Sequence, residues 1–151
     1  MHAHRLLHKL LRSCCPTMHK KRRSSLLACC EALLTCQVVQ LTAIGRSIQS
    51  NSRIKHKIKQ SDRLLANTSL HNESFSLYQS FASLFVSPAS QPIILIDWSD
   101  LTPTRSHFLL RASLAVEGRS LTLYEEVHTS LDNREVHRKF LNKLAALLRM
   151  R

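Results

Sequence analysis

The run Pro92-Ile93-Ile94-Leu95-Ile96-Asp97-Trp98-Ser99-Asp100 constrains this chain more than any other stretch. Four consecutive branched apolar residues behind a proline read as a short strand buried on both faces, and the run ends abruptly in two acids. A carboxylate at the end of such a strand is anchored by its neighbours and aimed outward, which is how a fold holds a hard divalent cation. Asp97 is therefore the first candidate for a metal ligand. The bland reading of the same residues is that Asp97 and Asp100 terminate a strand and cap the turn after it.

Charge divides the chain just before this run. Residues 1–90 hold thirteen Lys/Arg against three acids, Glu31, Asp62 and Glu73, whereas residues 91–151 hold nine against seven. The first part wants a polyanion; the second has the balance of an ordinary domain. Nucleic acid suits the basic part better than a membrane surface, because aromatic residues are few there and its helices carry no strong interfacial anchor. No apolar run approaches the roughly eighteen residues of a spanning helix, since Glu31 interrupts the longest candidate. The acid-free N-terminus superficially resembles an organelle presequence, yet it runs on into a continuous domain, so the expected location is the cytoplasm. Cys14, Cys15, Cys29, Cys30 and Cys36 include two adjacent pairs, which is not the spacing of a zinc knuckle, and they read as reduced core thiols.

The rest of the chain reads as helices before the run and as strands after it. Leu6, Leu7, Leu10 and Leu11 recur at helical spacing up to Cys14-Cys15-Pro16. A second helix is expected from about Thr17, with Lys20, Lys21, Arg22 and Arg23 in its first turns and a broad apolar arc after them. A short helix covers Leu41 to Ile48 with Thr42 as its cap. After the polar turn Gln49-Ser50-Asn51-Ser52, a basic helix follows whose inward stripe is expected to be Ile54, Ile58 and Leu65. Two short helices joined by a polar turn, the second cationic, are compatible with a helix-turn-helix-like reader. Asn67-Thr68-Ser69 caps the next helix, whose stripe Leu77, Tyr78, Phe81, Leu84 and Phe85 is expected in a core. Residues 87–92 form the linker. Beyond the first strand, Phe108 to Val116 alternates as a half-buried strand, Glu117-Gly118 turns, and Ser120 to Val127 returns antiparallel. Asp132 and Glu135 fit a capping box ahead of a helix with Val136, Phe140, Leu144, Leu147 and Leu148 on one face.

Ile96-Asp97-Trp98-Ser99-Asp100-Leu101 resembles the first-aspartate segment of cut-and-paste insertion-sequence transposases of the DDE group. Further segments resemble the same proteins in order and approximate spacing: Leu41 to Arg46, Ile58 to Asn67, Leu110 to Ser113 and Gly118 to Glu125. Together they resemble the transposases of composite antibiotic-resistance transposons, insertion-sequence family four, over nearly the whole chain. The resemblance implies an α+β chain: an N-terminal helical DNA-binding bundle over residues 1–86, the linker at 87–92, and over 93–151 the opening three strands and first helix of an incomplete RNase H-like domain. It implies binding to double-stranded DNA at terminal inverted repeats, with Lys20, Lys21, Arg22, Arg23, Arg46, Arg53, Lys55, Lys57, Lys59 and Arg63 as the cations that meet phosphate. A full-length transposase or a second copy of the chain is a further expected partner.

Family members cut and join DNA with two Mg²⁺ ions about 3.5 to 4 Å apart, which several carboxylates must hold. Asp97 matches the first aspartate of that set. The second aspartate and the glutamate of the later tyrosine-arginine-glutamate-lysine signature would fall beyond Arg151. Asp100, Glu125 and Glu126 are poor substitutes, because strand neighbours do not converge on one point. The expectation is a truncated transposase that binds transposon ends and is catalytically inactive alone. The competing expectations are a non-catalytic DNA-binding inhibitor of transposition and a basic helical RNA-binding protein.

Overall fold

Six helices and one three-stranded antiparallel sheet make this chain an α+β protein in a computed structural model, which describes residues 2–87, 91–131 and 134–148. The order is α1 (His2–Cys14), α2 (Lys20–Cys36), α3 (Leu41–Ser47), α4 (Ile54–Leu65), α5 (Thr68–Ala82), β1 (Ile94–Asp100), β2 (Phe108–Val116), β3 (Arg119–His128) and α6 (Arg134–Leu148). Two compact units, Met1–Ser76 and Leu77–Arg151, divide inside α5. Residues 88–90 of the expected linker and Asp132 of the expected capping box lie outside the described residues.

In the first unit, α1 stops short of Pro16, as a residue that excludes the preceding position from helical geometry requires. α2 starts at Lys20 rather than Thr17, because His19 supplies the cap: its Nδ1 accepts the Lys21 N–H at 3.3 Å. Gln40, not Thr42, precedes α3, and it makes no side-chain cap bond. Asn67 does cap α5, its Oδ1 accepting the Leu70 N–H at 2.9 Å.

Cys29 and Ala32 of α2, Ile44 and Ile48 at α3, and Leu64 of α4 form the core of this unit. α3 and α4 cross backbone against backbone, since a Cβ on Gly45 would stand 2.5 Å from the Ile58 Cα. The expected inward stripe of α4 is corrected by the structure. Ile54 and Leu65 are 59% and 58% exposed, and Ile58 is joined inward by Ser61 and Leu64. Ser61 is buried with its hydroxyl satisfied, donating to the Lys57 carbonyl one turn back at 3.4 Å and accepting from Cys29 Sγ of α2 at 3.6 Å. Cys15, Cys29, Cys30 and Cys36 are thiols outside any disulfide, and burial pushes those of Cys29 and Cys30 up, away from the reactive thiolate.

In the second unit the sheet order is β1-β2-β3, and the expected burial of its first two strands is reversed. β2 is paired along both edges and buried on both faces except at Arg111 and its last residues. β1 is an edge strand with Leu95 54% and Ile96 42% exposed. Burial follows from what covers a strand, not from its own apolar content. A bulge lets Ala112 face Tyr124 while Ser113 faces Thr122, so neighbouring Leu123 and Tyr124 are both buried. Gly118 turns the hairpin at φ +70°.

α6 buries Phe140, Leu144 and Leu147, the face its spacing predicts. Phe140 packs on Tyr124 with ring centres 5.2 Å apart, and the Trp98 Nε1–H donates to His137 Nε2 at 2.8 Å. Lys143 Nζ reaches Glu126 Oε1 at 2.6 Å. At the end of α5, Tyr78 meets Tyr124 edge-on, but Leu84 and Phe85 of the expected aromatic core stripe are exposed and Ala82 and Val86 are buried instead.

Two measurements check this packing. Gly45→Ala drives a methyl into the Ile58 backbone, so its urea unfolding free energy should fall by about 1–3 kcal/mol, the usual cost of overpacking. Burial alone would raise Glu126, but Lys143, the Tyr124 hydroxyl and His128 together hold it below the usual carboxylate range. A lowered folded value means that the stabilisation is present above the ordinary glutamate value of 4.5 and is lost as pH falls through the folded one. The urea midpoint of the native chain should therefore fall more steeply as pH drops below 4.5 than that of Glu126→Gln.

Candidate nucleic-acid interface

The first turns of α2 and the outer face of α4 border an open cleft of about 860 Å³. Five cations line it, Lys21 and Arg22 from α2 and Lys55, Lys59 and Arg63 from α4, together with His19 and His56. Ser25, Ser52, Gln60 and Asn67 add polar groups, and the lining contains no Asp or Glu. Lys55, Lys59 and Arg63 stand four residues apart on one helix, which aligns them on one face at intervals of about 6 Å. Neither α2 nor α4 has an acid in its first turn, so both present cations at the positive end of a helix dipole. That arrangement is unfavourable for the helices and favourable for an anion between them.

Arg22 is committed within the unit, its guanidinium held by Glu73 of α5. Lys21, Lys55, Lys59 and Arg63 take part in no ion pair among the described residues. Of the ten cations expected from sequence to meet phosphate, the cleft gathers Lys21, Arg22, Lys55, Lys59 and Arg63. Lys20, Arg46 and Arg53 are exposed outside its lining, and Arg23 and Lys57 are half-buried outside it. Sequence reasoning missed His19, His56, Ser25, Ser52, Gln60 and Asn67. For Gln60 the signal was available, since it follows His56 by four residues and so shares its face of α4.

Asp97 lies on edge strand β1 with its carboxylate exposed, and its Oδ1 accepts the Trp98 N–H at 2.9 Å. Its register partner on β2 is Arg111, which in turn faces Glu125 on β3. The Arg111 Nε donates to Glu125 Oε2 at 3.0 Å, so one row across the sheet runs acid, base, acid. Asp100 accepts from Arg105 at 3.0 Å. Glu126, next to Glu125 on the strand, is occupied by Tyr124, His128 and Lys143. Burial, and then Glu125, push the Tyr78 hydroxyl up to about 12, so it stays a neutral donor.

These residues do not fit a pair of Mg²⁺ ions. The register partner of Asp97 is a guanidinium, that of Arg111, and Asp100, Glu125 and Glu126 each hold a basic partner. Among the described residues no group of three or more His, Cys, Asp or Glu could hold a metal ion. No single described helix is long and apolar enough to cross a membrane. The chain matches no family model, no curated protein and no solved structure.

If Asp97 holds no ion, millimolar MgCl₂ should leave the thermal midpoints of the native chain and of Asp97→Asn equally unmoved. A magnesium-dependent rise that Asp97→Asn removes would restore the metal site, because a ligand of the folded state alone raises its stability.

Proposed function

We propose that this chain is the DNA-binding, N-terminal part of a DDE transposase similar to insertion-sequence family four, and that its helical unit holds the phosphates of a transposon end along α4. One observation carries the reading: four cations without ionic partners among the described residues meet in one cleft whose lining contains no acid. Backbone phosphates are what such a cleft attracts, and they supply most of the affinity of a DNA-binding protein. The segments that resemble the family, and the order of three strands followed by a helix that opens an RNase H-like domain, support the same reading. Asp97 is the residue that matches the family's first aspartate. With Arg111 as its register partner and no metal-holding group of acids among the described residues, the activity proposed for these residues is binding, without strand cleavage.

The same contrast, a cationic cleft in one unit and an acid set unfit for metal in the other, favours a second reading. The chain would then be a regulator that occupies transposon ends and blocks the active transposase.

Salt titration on duplex DNA carrying terminal inverted repeats tests the cleft. Each phosphate contact contributes about −0.9 to the slope of log affinity against log salt, so Lys55→Ala, Lys59→Ala and Arg63→Ala should each flatten it by roughly that amount. Lys57→Ala, outside the lining, should leave the slope as it is. Uniform effects across all four variants would remove the cleft from the interface. In a nicking assay with MgCl₂ the native chain should show no cleavage, and cleavage lost in Asp97→Ala would overturn the binding-only reading.

A further inference from the structure

We propose that Gln60 reads the edge of an adenine that a DNA strand presents to the cleft; this rests on the DNA-binding reading above and adds to it a residue that determines sequence preference. Lys59 and Arg63 attract a phosphate whatever base it carries, so they position a strand without telling its sequence. An amide contributes no net charge. What it offers is a donor and an acceptor side by side.

Gln60 follows Lys59 on α4, lines the cleft and is half-buried. Its Nε2 donates to Ser25 Oγ of α2 at 3.4 Å. That bond orients the amide and leaves Oε1 and the second Nε2 hydrogen for a ligand. Adenine presents an acceptor at N7 and a donor at N6 on one edge, which a glutamine meets with two hydrogen bonds. Asn67 lines the same cleft, but its Oδ1 accepts the Leu70 N–H at 2.9 Å, which commits its amide to capping α5. A side chain already half-buried and bonded loses little freedom when the base arrives, which favours discrimination over loose adhesion.

The test compares oligo-dA, oligo-dC and oligo-dT of equal length at one salt concentration, on the full chain and on Gln60→Ala and Gln60→Glu. The native chain should prefer oligo-dA by about tenfold, within the range of one bidentate base contact. Gln60→Ala should erase that preference while the salt slope stays unchanged, which shows that the cleft is still folded. Gln60→Glu accepts but cannot donate, so the preference should move toward cytosine, whose N4 donates. A residue that merely fills the cleft wall would not redirect it. Equal binding of all three oligomers by the native chain, or a preference that survives in both variants, overturns the role of Gln60 and leaves the DNA-binding reading standing. Absence of salt-dependent binding both to these oligomers and to duplex DNA carrying terminal inverted repeats overturns that reading, and the inference with it; binding to the duplex alone overturns only the role of Gln60.

Discussion

Like charges crowd the cleft between α2 and α4, and the small core behind those helices holds them there. Lys21, Lys55, Lys59 and Arg63 repel one another, and the basic first turns sit at the wrong ends of two helix dipoles. Each such placement typically costs a helix about 0.3–1 kcal/mol. The cost is met by close packing: Gly45 against Ile58, Ser61 satisfied within the helix contact, and Cys29, Ala32, Ile44 and Leu64 sealed around them. Two helices that oppose local preference at once are what the proposed polyanion would relieve.

The sheet-bearing unit resolves its charges differently. Arg111 is the one exposed residue in the buried stretch of the central strand, and it stands between Asp97 and Glu125 across three strands. Its guanidinium pairs with Glu125 at 3.0 Å, and Asp97 on the other flank has it as register partner. On β3 the next acid, Glu126, is saturated by Tyr124, His128 and Lys143, and through Lys143 it ties α6 to the sheet. Carboxylates that close a structure in this way are not available to gather an ion.

How much of this was legible in the sequence depends on the range of the interaction. Helix and strand order was readable, because apolar spacing, Pro16 and Gly118 act within a few residues. The buried face of α6 was readable for the same reason. The relative burial of β1 and β2 was not, since Ile93-Ile94-Leu95-Ile96 is more apolar than much of β2, yet Ile93, Leu95 and Ile96 are exposed because little packs over the edge strand. The inward face of α4 was misread because Ser61 is polar; its burial depends on a bond to Cys29, thirty-two residues away. Of the candidate site, the cations of α2 and α4 were visible as charge. That five of them share a cleft with Gln60, while Lys57 turns aside from it, required the packing of the two helices.

Trp98 is the chain's single tryptophan, and it lies in the Leu77–Arg151 unit, bonded to His137 and edge-on to His128. The Met1–Ser76 unit has no indole of its own, although it contains α1 to α4 and the start of α5. Indole emission therefore follows the sheet alone, whereas far-ultraviolet ellipticity is weighted toward the helical unit. A denaturation series recorded in both channels separates the two halves of the molecule without cutting the chain, and divergence of the two curves would mark them as independent cooperative bodies.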